Sequence, residues 1–177
     1  MTREQLEHLV RAAANIADDP ELIVVGSQAV LGQFPNAPAA LLTSNEADLF
    51  PKNRPERADL IDGTLGELSP FHETFGYYAH GVGEATAVLP QGWRERLIPV
   101  TNANTRGATA WCLEIHDLVI SKLVAGREKD LGFAREALTH GLIDTATLEL
   151  RLAATALDAG LRPVVEMRLS QIFAVDS

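Results

Sequence analysis

Two carboxylates in Glu46-Ala47-Asp48-Leu49-Phe50, and a glycine-serine step upstream in Ile23-Val24-Val25-Gly26-Ser27-Gln28-Ala29-Val30, are the residues of this chain best suited to chemistry. The acids alternate with apolar residues. In a strand, successive side chains point to opposite faces, so Glu46 and Asp48 share one face while Ala47 and Leu49 are buried on the other. Two carboxylates held together are costly unless a cation or donors offset them, and a divalent ion such as magnesium, or manganese, would do so. The apolar run through Gly26-Ser27 reads as strand, tight turn and helix start. Gly26 permits close backbone approach, and Ser27 offers its hydroxyl and amide at the positive end of a helix, which is a seat for phosphate. A phosphate seat beside a carboxylate-held cation is the chemistry on offer.

The elements that must position these groups follow from the chain on either side. Thr2-x-x-Gln5 is a capping box for a first helix with Leu6, Leu9, Val10, Ala13 and Ile16 on one face, stopped by Asp18-Asp19-Pro20. A strand over Glu21–Val25 and a short helix from Ser27 to about Gly32 come next. An irregular connection with Pro35 and Pro38 leads to the acidic strand, which ends at Pro51. The charged turn Pro51–Arg57 opens a helix to about Leu65; Lys52, Arg54 and Arg57 read first as solvated and second as phosphate contacts. Ser69–Gly76 is a turn or single helical turn before a strand over Tyr77–Val82. His72, Glu73 and His80 lack the tight spacing of a zinc site, although His80, near a strand end, has access to the pocket. Leu97–Val100 and Ala108–Leu113 are two more strands, and Glu114 after them is either a third metal ligand or a surface acid.

Helices then dominate. Asp117–Ala125 is apolar nearly all round except at Lys122, which either snorkels to solvent or points into a polar pocket; residue chemistry alone favours snorkelling. Asp130 suits a helix N-terminus ahead of Leu131–Thr139. Asp144 caps a helix to about Leu157, and Pro163 begins a last one through Phe173.

The chain of 177 residues is 46% hydrophobic and 22% charged, the composition of an ordinary globular protein, without repeats or low-complexity segments. No apolar run approaches the roughly 20 residues that span a bilayer. The acid-bearing N-terminus does not read as a signal peptide, and the single cysteine, Cys112, excludes an internal disulfide and suits a reducing cytoplasm. A net charge of −9 argues against a general nucleic-acid binder and leaves room for a local basic patch.

Apolar strand, Gly26-Ser27, helix and then Glu46-x-Asp48 resembles the signature of the polymerase-beta-type nucleotidyltransferase superfamily. Ser121-Lys122-Leu123-Val124-Ala125-Gly126-Arg127-Glu128-Lys129-Asp130 resembles the lysine-bearing helix and following basic-acidic step of the AbiEii-like toxins of toxin–antitoxin systems and their uncharacterised relatives. Together the two cover roughly residues 20–145. The resemblance implies an α+β fold: a nucleotidyltransferase-like mixed sheet flanked by helices, with a C-terminal helical bundle. It divides the chain into an α/β core over 1–115 and a helical part over 116–177 packed on it as one compact unit. It further implies a magnesium- or manganese-dependent transfer of a nucleotidyl group from a nucleoside triphosphate to an acceptor, with RNA or tRNA as acceptor and a cognate antitoxin as partner. Glu46 and Asp48 would hold the metal and, with Lys122, form the catalytic set. Gly26, Ser27, Lys122, Arg127, Lys129 and Asp130 would bind the nucleotide, and the resemblance thereby reverses the snorkelling preference for Lys122. The rival reading is a catalytically inactive binding or regulatory module on the same fold. Its support is the long interval between Gly26-Ser27 and the acid pair, glutamate at the pair's first position, and the lack of an evident third carboxylate. A third reading makes Glu46, Asp48 and Lys122 satisfied polar groups of a structural protein.

Overall fold

A computed structural model describes residues 1–174 of the chain. Helix α1 (Arg3–Ala17) is set by the expected capping box: Thr2 accepts from the Gln5 amide while the Gln5 side chain accepts from the Thr2 amide. Its apolar stripe of Leu6, Leu9, Val10 and Ala13 is fully buried. Strands β1 (Glu21–Val24), β2 (Glu46–Pro51), β3 (Tyr78–Gly81), β4 (Ile98–Val100) and β5 (Thr109–Cys112) form one sheet in the order β3-β2-β1-β5-β4. The sheet is mixed. β1 runs antiparallel to β2 and parallel to β5, β2 is parallel to β3, and β4 is antiparallel to β5. The order places the acidic strand one in from the edge, with β1 on one side and β3 on the other.

Between the strands lie α2 (Val30–Gln33), reached through a 3-10 turn over Ser27–Ala29, then α3 (Ala58–Leu65) and α4 (Pro70–Phe75). Helix α1 packs across β1, β2, β3 and β5, and α3 packs against β2 and β3. Four helices follow the sheet: α5 (Ile115–Ala125), α6 (Glu128–Thr139), α7 (Thr145–Ala153) and α8 (Leu161–Ala174). α5 is the centre of this bundle, with Leu118, Val119, Ile120 and Leu123 fully buried against α6, α7 and α8. It also meets α2 and the Ser27–Ala29 turn, which brings Lys122 to the end of the sheet where β1 finishes. The architecture is the α+β arrangement of mixed sheet and C-terminal bundle that the resemblance implies.

Boundaries depart from the sequence reading where side chains cap differently. α5 starts two residues early because the Glu114 carboxylate accepts from the backbone amides of His116 and Asp117. α8 starts before Pro163 because Asp158 accepts from the amides of Gly160 and Leu161, and a proline in a first turn costs no hydrogen bond. α7 ends at Ala153, four residues short of the expected Leu157. The helical stretch after Gly26 ends at Gln33, close to the expected Gly32, but consists of a 3-10 turn followed by a single α-helical turn. So short a helix has little macrodipole to offer a phosphate, and the Ser27 hydroxyl and the backbone amides must carry that role.

Candidate functional site

The site grows out of two strand pairings. Because β1 and β2 are antiparallel, the end of β1 with Gly26 lies beside the start of β2 with Glu46 and Asp48; the Val25 amide donates to the Asp48 carbonyl at 3.0 Å. Because β2 and β3 are parallel, Glu46 sits opposite Tyr78 and Asp48 opposite His80, all four on one face of the sheet. The Tyr78 hydroxyl donates to Glu46 Oε2 at 2.9 Å. His80 Nδ1 lies 3.1 Å from Asp48 Oδ1 and 3.3 Å from Glu46 Oε1. One ligand atom from each of Glu46, Asp48 and His80 falls within 4.8 Å of the others, a spacing that fits a single cation. Gly26 is needed here for space. Its backbone is ordinary extended chain at φ −81° and ψ −174°, but a Cβ would collide with the Asp48 carboxylate.

Electrostatics at the pair show what the site lacks. Burial, reinforced by the neighbouring Glu46, pushes the Asp48 carboxyl up to about 6. Burial presses on Glu46 in the same direction. There, hydrogen bonds from Asp48 and Tyr78 and the nearby charges of His80 and Lys129 outweigh it and hold the group below its ordinary value. Of the two carboxyls, Glu46 is the one whose charge the surroundings favour. His80 is shifted upward: burial opposes its charge, and Asp48 and Glu46 more than offset that. A divalent cation placed between the two acids would offset the repulsion that raises Asp48. The donor set fits a metal ion.

The cationic wall comes from the bundle. Lys122 is buried, and its Nζ donates to Asp130 Oδ1 at 3.0 Å. Arg127 clasps the same carboxylate from outside, Nε to Oδ2 at 2.6 Å and Nη2 to Oδ1 at 3.2 Å. Asp130 is itself fully buried, and although burial disfavours its charge, Arg127 and Lys122 outweigh that and hold the carboxyl below its usual range. It therefore fixes the two cations and has no carboxylate oxygen without a protein partner. Ser27, Glu46, Asp48, His80, Lys122, Arg127 and Lys129 line one cleft of about 500 Å³. A smaller recess of about 70 Å³ adds Gly26 and Asp130 to Asp48, Lys122 and Arg127. All the residues expected at the site are thus gathered at one end of the sheet.

Several alternatives that the sequence left open are closed. Lys122 does not snorkel, since its ammonium is held inward by Asp130. Glu114 supplies no third ligand; it caps α5 and bonds His116 at 2.7 Å. Lys52, Arg54 and Arg57 contact no part of the cleft: Lys52 pairs with Glu21, and both arginines pair with Asp18, at the opposite end of β1 and β2. The third ligand-bearing group in reach is His80. Its proximity to the acids depends on the parallel pairing of β2 with β3, which no local pattern signals. Tyr78, two residues earlier on the same face, was missed for the same reason. Cys112 is buried with its thiol pushed up to about 12 by desolvation, as a structural cysteine should be. Among the described residues no helix is long and apolar enough to cross a membrane.

Comparison with known proteins adds one match. A family described as a nucleotidyltransferase of unknown function (DUF6036) matches residues 4–162. No curated protein and no solved structure matches the chain. The match takes in the whole sheet, the acid pair, Lys122 and Asp130. The chain belongs to this nucleotidyltransferase family.

Proposed function

From that membership we propose that the chain is a divalent-cation-dependent nucleotidyltransferase, moving a nucleotidyl group from a nucleoside triphosphate to an acceptor hydroxyl or phosphate. The observation that carries the reading is the convergence of Glu46 and Asp48 on one cleft, where burial and the adjacent Glu46 disfavour the charge of Asp48. Glu46 and Asp48 would hold a magnesium or manganese ion, which when bound supplies Lewis-acid polarisation of the reacting phosphate.

The chain's own part is positioning and charge. The Ser27 hydroxyl and the backbone at Gly26, approached closely because no Cβ intervenes, receive phosphate oxygens. Lys122 and Arg127, held in place by Asp130, stand beside Asp48 in the small recess and balance the charge of the triphosphate. Lys129 extends that cationic wall into the larger cleft. In-line displacement at phosphorus needs little covalent participation by the protein, so an arrangement poor in free acids and bases is adequate. RNA, in particular a tRNA 3′ end, is the acceptor to be tried first, and a toxin-type role with a cognate antitoxin is the setting the resemblance suggests.

One observation favours a second reading, an inactive binding or regulatory module. The third group beside the acid pair is the imidazole of His80 and not a carboxylate. Transfer separates the two. Each labelled nucleoside triphosphate is incubated with total cellular RNA and the protein, with magnesium or manganese and with chelator, using wild type and Asp48→Asn. Metal-dependent label in RNA that Asp48→Asn abolishes supports the enzyme. Nucleotide binding without transfer to RNA or any other acceptor supports the module.

A further inference from the structure

We infer that His80 is the third ligand of this cation site, and that its nitrogen turns the site towards first-row transition ions, manganese among them, over magnesium. The inference rests on the reading of Glu46 and Asp48 as cation carriers and names the class of ion they take. His80 Nδ1 is within 3.3 Å of an oxygen from each acid, so a cation shared by the carboxylates has the imidazole beside it. The strand register fixes this approach, since Asp48 and His80 are direct partners across β2 and β3. The ring is about half exposed, towards the cleft and an adjoining recess shared with Asp62, Glu67 and Tyr78.

The carboxylates are prepared for a small ion as well. Tyr78 occupies Glu46 Oε2 and leaves Oε1 facing His80, which orients the carboxylate as outer partners orient metal ligands elsewhere. No third carboxylate joins the cluster among the described residues, and Glu114 is committed to α5. The donor set is therefore two oxygens and one nitrogen. Magnesium requires near-ideal octahedral oxygen coordination and sheds water reluctantly, whereas manganese and its heavier neighbours accept imidazole beside carboxylates.

The test uses the full chain with each metal alone. Manganese, magnesium and cobalt are titrated separately into wild type, His80→Gln and His80→Asp, by calorimetry and, for manganese, by the paramagnetic resonance of the free ion. Wild type should bind manganese at least about tenfold more tightly than magnesium, the sense in which an imidazole ligand shifts selectivity. His80→Gln should remove most of that preference by weakening manganese and cobalt, and His80→Asp should move it towards magnesium. Spin-echo spectra of manganese-loaded wild type should carry a directly coordinated nitrogen, a readout that survives even if a variant fails to fold. An oxygen-only manganese spectrum, or folded His80→Gln with unchanged manganese affinity, overturns the inference. If no ion binds wild type at all, the reading of Glu46 and Asp48 itself fails. Binding lost in Asp48→Asn yet indifferent to His80 defeats only the role of the histidine.

Discussion

Asp48→Asn should stabilise the metal-free protein while destroying the proposed cation site. In the folded chain burial and Glu46 raise the Asp48 carboxyl from 3.8 to about 6. A raised carboxyl pKa means that the protonated form favours folding. The stability this adds is complete below the unfolded value near 3.8 and is lost as pH rises through about 6. Roughly two pH units correspond to about 3 kcal/mol at most. Glu46, shifted the other way by the same contact, offsets part of this, and the Asp48 side chain is 27% exposed. A net penalty of about 1–2 kcal/mol at neutral pH remains. His80 acts in the same direction at higher pH, since its raised value makes the imidazolium a stabilising partner that is lost on deprotonation. Asparagine copies the protonated acid: its amide can donate to Glu46, and its carbonyl can accept from His80. Because many other carboxylates with lowered pKa values stabilise the fold as pH rises, the diagnostic quantity is the difference between the two proteins: the melting temperature of Asp48→Asn should rise relative to that of metal-free wild type between pH 4 and pH 7. At pH 7.5 in chelator the variant should melt higher by roughly 2–8 °C, given about 2–4 °C per kcal/mol for a chain of this size. Saturating manganese should raise wild type by about 2.7 kcal/mol at a hundredfold excess over Kd and leave the variant unmoved. Calorimetric scans over pH with and without metal make the measurement. A variant that melts below metal-free wild type at pH 7.5 would mean the protein already satisfies this carboxylate, and the electrostatic case for a cation would fail.

Gly26→Ala should fold, because φ −81° and ψ −174° suit alanine, yet its methyl must displace the Asp48 carboxylate, so metal binding measured by calorimetry should drop at least about tenfold. Lys122→Met should cost about 1–3 kcal/mol in urea unfolding, since it leaves the buried Asp130 with Arg127 alone, and should weaken nucleotide affinity roughly ten- to a hundredfold if Lys122 contacts phosphate. Unchanged affinity in the folded variant would confine Lys122 to the ion pair. Glu7, buried at the α1 surface, accepts from Arg3, Asn102 and Asn104, and these bonds outweigh its desolvation and lower its pKa. Its contribution is present above the usual carboxyl value and is lost as pH falls through the depressed one. Glu7→Gln should accordingly destabilise by about 1.5–3 kcal/mol at pH 7 and by less in acid, read from melting curves.

What could be read from the chain beforehand depended on range. The capping box at Thr2, the alternation in β2 and the apolar girdle of α5 are local patterns, and each reports its own element with only boundary errors. Lys122 was half legible. An apolar helix holding one lysine must send it somewhere, but solvent and interior are indistinguishable without knowing that a buried Asp130 waits eight residues on. The resemblance supplied the inward direction but assigned Asp130 to the nucleotide, and the folded chain gives its carboxylate to Lys122 and Arg127.

His80 was the harder case. Nothing within Tyr77–Val82 places that imidazole against Asp48, because the contact is made by a parallel pairing across 32 residues. Glu114 shows the converse: an acid at a strand end looks available until its neighbours are placed, and then the first amides of α5 claim it. Local sequence thus names the groups that can do chemistry, and long-range pairing decides which of them remain free to do it. At this site the pairing leaves Asp48 buried beside Glu46 and Asp130 with two cations. That asymmetry, more than either carboxylate's identity, separates the acid proposed to receive a metal from the acid that holds Lys122 and Arg127 in place.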